Sequence, residues 1–373
     1  MEFIECKLSE LGEIVGGGTP STKNASNYGG KISWITPKDL TNVNTRYINQ
    51  GERNITEEGF KSSSTKILPI NSVLFSSRAP IGYIAINNNK EVCTNQGFKS
   101  IIPNEKINYM FLYYLLKFNK NKIESMGSGT TFKEVSGTVM KNIKVNIPKN
   151  VKDQMKIAKV LSNLDDKIEL NTQTNDNLLE LIKKLYIEKI KNNNDINFEE
   201  KNLDEFCNIF TGKKNANASE ENGQYKFFTC APEPLSINSY IYDGPAVIVA
   251  GNGAYTGRTN FYNGKFDLYQ RTYGITTNND YIYLFYAMIY TDLQNDIMGG
   301  THGSAIPYIV MNDIAKFKVK YNKELFDELS QKIKVLLLKI KSNEAQNETL
   351  EQLRDTLLPK LMNGEIDLDK IQI

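Results

Sequence analysis

The side chains best suited to chemistry in this sequence are hydrogen-bonding groups on turns marked by Gly, Pro or Asn. In the first half they are Thr19, Ser21 and Lys23, then Thr36 and Lys38, Ser77 and Arg78, Gln96 and Lys99, and Thr130, Thr131 and Lys133. In the second half they are Lys213, Lys214, Asn215, Asn252, Arg258, Arg271, Thr301 and His302. Arg or Lys matches the acceptors of guanine, Asn or Gln matches adenine, and Ser or Thr adapts to either, so the set suits a base-reading surface. Arg78 and Arg258 lead it, because a guanidinium fork on a turn can reach into a groove. A phosphate contact or a structural ion pair is the competing role for each.

Bond-breaking chemistry finds little to work with. His302 is the only histidine and has no evident acid–base partner, so a base contact is the better role for it. Cys6, Cys93, Cys207 and Cys230 form no CxxC pair, which leaves a zinc site almost without ligands and predicts neutral thiols. Gly16-Gly17-Gly18-Thr19-Pro20 lacks the GxxxxGK[ST] signature, so a flexible or DNA-facing turn is preferred to a nucleotide cradle. No methyltransferase-type Pro-Pro-Tyr segment and no nuclease Asp…Glu-x-Lys pattern stands out. Trp34 and the tyrosines could stack on bases, but aromatic residues in strands are more often core. The expectation is a non-enzyme, with no cofactor or metal of its own.

Two long amphipathic segments must position these turns. Leu161, Leu164, Ile168, Asn171, Asn175, Leu178, Ile182 and Leu185 alternate spacings of three and four. So do Ile333, Leu336, Ile340, Asn343, Asn347, Leu350, Arg354 and Leu357, each 172 residues after its counterpart. Such spacing is a coiled-coil seam. An antiparallel pairing sets Asn171 against Asn347 and Asn175 against Asn343, with Leu161 meeting Leu357, Ile168 meeting Leu350 and Leu178 meeting Ile340. Polar layers at matched positions penalise sliding, because a shift leaves amides facing leucines.

The segments before the helices echo each other too. Leu8, Ile14 and Gly17 correspond to Leu203, Ile209 and Gly212 at a constant offset, and Val139–Ile143 echoes Val310–Ile314. Strands are expected near Ser72–Ser76 and Ala246–Ala250, and helices near Tyr109–Phe118 and Tyr283–Tyr290. The predicted fold is α+β, with two mixed α/β domains in tandem pseudo-repeat and two long helices packed as an antiparallel coiled coil. The division is 1–150 and 196–322 for the domains, and 151–195 and 323–373 for the helical segments.

Charge is uneven along this repeat. The 373 residues sum to +2, yet residues 1–150 hold 19 basic and 12 acidic side chains, whereas residues 196–322 hold 10 and 13. The first domain has the balance of a polyanion binder; the second needs a local basic face or a partner to make phosphate contacts. No apolar run is long enough for a membrane span and Met1–Leu11 has no signal-peptide character, so the cytoplasm is expected.

At this point the residues carry a family resemblance. Trp34-Ile35-Thr36-Pro37-Lys38-Asp39-Leu40, Ser77-Arg78-Ala79-Pro80-Ile81-Gly82, Thr94-Asn95-Gln96-Gly97-Phe98 and Gly127-Ser128-Gly129-Thr130-Thr131-Phe132 resemble the target-recognition domain of Type I restriction–modification specificity subunits. Gln154-Met155-Lys156-Ile157-Ala158 and Leu357–Ile366 are similar to that family's conserved helix start and C-terminal end. The second domain departs, with Phe227-Phe228-Thr229-Cys230 for the Trp34 motif and Asn252-Gly253-Ala254 for Arg78-Ala79-Pro80.

The resemblance implies a non-catalytic subunit that reads a split site on double-stranded DNA and docks two modification (adenine methyltransferase) subunits. Up to two restriction subunits, ATP-dependent translocase-nucleases, can join them. S-adenosylmethionine, ATP and Mg are then expected on the partners. Two alternatives stay open: the specificity subunit of a related combined methylase/nuclease system, and a scaffold or antirestriction mimic that sequesters modification subunits without reading DNA.

Overall fold

The computed structural model describes residues 1–41, 45–129, 133–293, 308–366 and 368. The chain forms two compact units, Met1–Asn171 with Ala345–Ile373, and Thr172–Glu344. Each gathers one mixed domain and part of both long helices, α2 (Val151–Tyr186) and α4 (Lys323–Met362).

The first unit is built on a five-stranded sheet in the order β2 (Gly12–Gly16), β9 (Lys99–Pro103), β6 (Val73–Ser77), β7 (Ile81–Asn87) and β4 (Tyr47–Ile48). A three-stranded sheet joins β5 (Arg53–Ile55), β3 (Tyr28–Ile35) and β8 (Val92–Thr94). The ribbon of β1 (Phe3–Lys7) and β10 (Lys144–Pro148) leads into α2. Helix α1 (Tyr109–Phe118) carries a continuous apolar run from Phe111 to Leu116, and all six residues are buried against the sheet. Gln154 shows why α2 starts where it does. Its fully buried amide accepts from the Asn108 N–H at 2.9 Å and donates to the carbonyls of Pro148 (2.9 Å) and Lys106 (3.1 Å). At the far end of the chain Leu358, Leu361 and Met362 enter the same core, and Gly364, at φ +73°, turns the backbone away beside the Phe3 ring.

The second unit repeats the plan with changes. Its six-stranded sheet runs β12 (Asn208–Thr211), β17 (Thr272–Thr276), β15 (Tyr242–Ala250), β16 (Thr259–Leu268), β13 (Tyr225–Phe228), β14 (Leu235–Ile237). A ribbon of β11 (Glu199–Asn202) and β18 (Lys318–Tyr321) leads into α4, as β1 and β10 lead into α2. Helix α3 (Tyr281–Met288) is the counterpart of α1, at the same 172-residue offset as the helical seams. Strand registers confirm the repeat: Val73 faces Ile101 and Val247 faces Ile275, both pairs offset by 174.

The antiparallel register holds at both polar layers. In the first unit Asn171 donates to the Asn347 amide oxygen at 2.8 Å; in the second, Asn343 donates to that of Asn175 at 2.8 Å. Asn171, Asn175 and Asn343 are buried, so each amide that pairs escapes the cost of an unsatisfied polar group. The apolar layers are less simple. Leu161, Ile182, Ile333 and Ile340 are buried, but Leu164, Ile168, Leu178, Leu185, Leu336, Leu350 and Leu357 are only half-buried. The neighbours Asp165, Tyr186, Leu337 and Leu358 lie deeper instead. Each helix faces its own domain as well as its partner helix, so the most buried line is shifted from a two-helix seam.

The largest departure is electrostatic. The seam expectation set Arg354 opposite Leu164; it pairs with Asp165, Nη1 to Oδ1 at 2.8 Å. Tyr114 of α1 donates to the other Asp165 oxygen at 2.5 Å. Arg46, just before β4 and almost wholly buried, closes the network. It donates to the Ser162 carbonyl at 2.9 Å and the Tyr114 hydroxyl at 3.4 Å, pairs with Asp166, and lies 3.6 Å from Glu169. Burial opposes the Arg46 charge, but hydrogen bonds to Tyr114 and Asp166 outweigh it and raise its pKa above the ordinary value. By the same offset Asp165 corresponds to Leu337 and Arg354 to Ile182, both buried in one apolar core. At this pair of positions one domain uses charge and the other hydrocarbon. The second domain has polar contacts to the helices of its own, through Asp292, which accepts from Tyr186, and Asp280, which pairs with Lys334.

All four cysteines are free, and burial pushes the Cys93 and Cys207 thiols up to about 12, so both stay protonated near neutrality. No helix among the described residues is long and apolar enough to cross a membrane, and no acidic, His or Cys cluster among them could hold a metal.

Asn343→Leu strands the Asn175 amide and is expected to cost about 1–3 kcal/mol in urea unfolding. Adding Asn175→Leu should restore most of that stability. Arg354→Ile alone is expected to cost about 3 kcal/mol. The pair Arg354→Ile with Asp165→Leu, which copies Ile182 and Leu337, should recover only part of that loss, because it leaves the buried Tyr114 hydroxyl without its acceptor. A double variant no better than either single would show that register and charge pairing contribute independently of their partners.

Candidate nucleic-acid interface

In the first domain β2 and β6 end where β9 and β7 begin, so their connecting turns meet at one end of the antiparallel sheet. Gly17 packs so closely on the 94–95 backbone that an added Cβ would lie 2.1 Å from the Asn95 carbonyl oxygen. The Gly18 N–H donates to the Thr94 carbonyl at 2.9 Å, and Trp34 Nε1 donates to the Gly18 carbonyl at 2.9 Å. Trp34 is buried and meets the Tyr28 ring edge-on, a core residue that fixes the turn rather than a stacking platform. Held this way, Thr19 hydrogen-bonds to Gln96, and both are exposed.

The neighbouring turns join the cluster. Asn95 accepts from the Gly97 N–H at 2.8 Å, and Gly97 packs beside the Pro37 ring, which brings Thr36–Lys38 alongside. Thr36 caps its short helical turn through Asp39, while exposed Lys38 reaches Glu52 at 3.0 Å. Ser77 is fully buried and donates to the Gly97 carbonyl at 3.2 Å, so it holds the turn and does not face solvent. Arg78 Nη1 lies 3.7 Å from Glu134, and Lys99 Nζ lies 3.1 Å from the same carboxylate. Lys133 is exposed next to it. Ser21 and Lys23 are exposed on the loop after Thr19, where the Ser21 carbonyl accepts from the Asn27 amide. Thr130 and Thr131 lie outside the described residues.

The second domain brings together the equivalent turns with different side chains. Gly212 packs against Leu268 and Tyr269 as Gly17 packs against Thr94 and Asn95. Lys214 forms a bridge with Tyr269, its carbonyl accepts from the Gln270 N–H at 2.9 Å, and its ammonium meets Asp267 at 2.8 Å. Lys213, Asn215, Gln270 and Arg271 are exposed. Asn252 bridges Tyr308 as Arg78 bridges Glu134. A cavity of about 390 Å³ opens here, lined by Gly251, Gln270, Arg271, Tyr273 and Tyr308.

Arg258 does not join this group. It lines a separate cavity of about 350 Å³ with Tyr286, Leu337, Lys341 and Glu344, its guanidinium 5.8 Å from the Tyr255 ring. Thr301 and His302 lie outside the described residues. Sequence reasoning missed Gln270, Tyr273, Tyr308 and Glu134. The 174-residue offset from Gln96 and Lys99 could have found Gln270 and Tyr273; no local spacing points to Glu134 or, through it, Tyr308.

The second domain's charges are partly sorted by location. Lys213, Lys214 and Arg271 sit at the turn end of the sheet, together with Asp267, which pairs with Lys214, and exposed Glu233 on the β13–β14 turn. Asp204, Glu205 and Asp280 lie next to the opposite ends of β12 and β17.

Comparison with known proteins agrees with this duplicated arrangement. The family described as Type I restriction modification DNA specificity domain matches residues 2–180 and 195–352. The MjaIX specificity subunit of Methanocaldococcus jannaschii, a Type I restriction enzyme component, is 33% identical over 408 residues, covering 98% of this chain and 94% of that protein. The EcoDI specificity subunit of Escherichia coli is 37% identical over 172 residues, 44% of this chain and 37% of the other. The crystal structure of the Type I restriction–modification S subunit from M. genitalium superposes with a TM-score of 0.60 over 97% of this chain and 96% of that one. At 18% identity it speaks for the fold.

Gly17→Ala places a methyl group against two carbonyl oxygens and must push the Thr19–Gln96 turn outward. A loss of about 1–3 kcal/mol in urea unfolding is expected, together with weakened DNA binding, whereas Gly16→Ala, with open space around its Cβ, should be neutral in both. Equal effects of the two substitutions would contradict the close packing.

Proposed function

Because the chain belongs to the Type I restriction modification DNA specificity family, we propose that it reads a bipartite target through the turn ends of its two sheets. As a specificity subunit it is the non-catalytic, DNA-recognising component of such a system. The observation that carries the finer reading is the repeat itself. One backbone scaffold presents Thr19, Arg78, Gln96 and Lys99 in the first domain and, at the equivalent positions, Lys214, Asn252, Gln270 and Tyr273 in the second. Three of these four positions carry different donors and acceptors, which suits two different half-sequences. In this reading residues 1–150 and 196–322 are the readers, and 151–195 and 323–373 set the unread gap.

The proposal extends to partners. Leu170 and Leu353 in the first unit, and Leu181, Val335 and Leu338 in the second, are exposed apolar residues on α2 and α4, suited to docking a modification subunit on each unit. Those subunits would carry S-adenosylmethionine and the adenine methylation chemistry. Restriction subunits using ATP and Mg would complete a cytoplasmic assembly.

Mapping methylated adenines in DNA treated with the chain and its modification subunits tests the reading; two half-sequences with a constant gap are expected. Matched seven-residue insertions in residues 161–185 and 333–357 should widen the gap by about 3 base pairs, at 1.5 Å per helical residue and 3.4 Å per base pair. Altered half-sequences with an unchanged gap would refute the assignment of roles.

A further inference from the structure

Glu134 is a carboxylate in the middle of a surface that should meet a polyanion, and none of the base-reading roles assigned to this surface uses it. Its placement is nonetheless tightly specified. The Glu134 N–H donates to the Ser128 carbonyl at 2.9 Å, and its own carbonyl accepts from the Ser128 N–H at 3.0 Å. A β-bridge joins it to Arg78 on the other side. The next residue, Val135, is fully buried and donates its N–H to the Ser77 carbonyl at 3.0 Å. With the backbone clamped, one carboxylate oxygen faces Lys99 at 3.1 Å and the other faces Arg78 at 3.7 Å.

Stability explains only part of this arrangement. The Arg78 and Glu134 side chains are 34% and 37% exposed, so that pair contributes little, and the better-buried contact is to Lys99, 14% exposed. The quasi-equivalent positions in the second domain dispense with charge altogether: Asn252 stands for Arg78, Tyr273 for Lys99 and Tyr308 for Glu134. The same fold therefore closes without the trio. What the carboxylate supplies is orientation and competition. It hydrogen-bonds Lys99 and draws Arg78 toward the same carboxylate, and it contests Arg78 with any phosphate that offers a second anion.

We propose that Glu134 is a positioning residue that sets specificity for the first half-sequence. It aims Arg78, supported by Lys99, at base edges and keeps both cations from settling on the phosphates of other sequences. This rests on the reading of the first domain's turn end as a DNA-reading surface.

The test uses the chain assembled with the methyltransferase subunits of its own system. Binding is measured on the mapped target, on a duplex with the first half-sequence scrambled, and on one with the second scrambled. Glu134→Gln should reduce discrimination against the first-scrambled duplex about tenfold, the scale of one well-placed base contact, and leave discrimination against the second-scrambled duplex unchanged. Binding to the first-scrambled duplex should strengthen, and its salt dependence should steepen by roughly one released ion as a freed cation reaches a phosphate. Glu134→Asp, which keeps the charge, should retain most of the discrimination.

A uniform rise in affinity with both ratios unchanged would reduce Glu134 to simple repulsion and overturn the proposal. Equal losses against both scrambled duplexes, or no change at all, would overturn it as well. An unvaried assembly that cannot tell the target from the first-scrambled duplex would remove the DNA-reading role itself, and the proposal with it.

Discussion

Buried amides have few ways to be satisfied, and the architecture depends on that scarcity. Asn171 finds Asn347, and Asn343 finds Asn175. A slide of either helix by one heptad would leave amides against leucines and isoleucines, a loss that hydrocarbon contact cannot make good. With this register set, Arg354 comes within reach of Asp165, one residue from the Leu164 that the seam sets opposite it, and Tyr114 and Arg46 bind the same carboxylate. The polar layers contribute less to adhesion than to the choice of one alignment.

The two domains show two solutions to one contact. Around Asp165 the first uses charge: two arginines and a tyrosine surround a carboxylate that is almost wholly removed from water. At the corresponding positions the second uses Leu337 and Ile182. Buried ion pairs and well-packed hydrocarbon are often close to equal in net stability, because desolvation cancels much of the attraction. They differ in directionality. A guanidinium with several fixed acceptors accepts only a narrow range of orientations, whereas leucine and isoleucine tolerate small rotations.

Sequence patterns exposed whatever is periodic or repeated. The three–four spacing disclosed both long helices and the pairing of their asparagines, and the apolar run Phe111–Leu116 disclosed α1. The buried line along each helix was harder to see, since Asp165 and Tyr186 also draw neighbours from the attached domain, Tyr114 and Asp292. Arg46 and Glu134 were invisible for a related reason. Each works through partners far along the chain or on a separate turn, and no local spacing announces such a meeting. The turn ends were legible as composition, but Arg258 and Arg271 look alike in a string of letters; only folding sends one toward Leu337 and the other toward Tyr273.

One residue of the first domain doubles as an instrument. The chain contains a single tryptophan, and that indole is buried with its Nε1 hydrogen-bonded to the carbonyl of Gly18, one residue from Thr19. Its fluorescence is therefore the optical signature of one domain alone, recorded without any label. A change in its emission on adding DNA reports rearrangement at the first set of turns, while events confined to the second leave the signal dark.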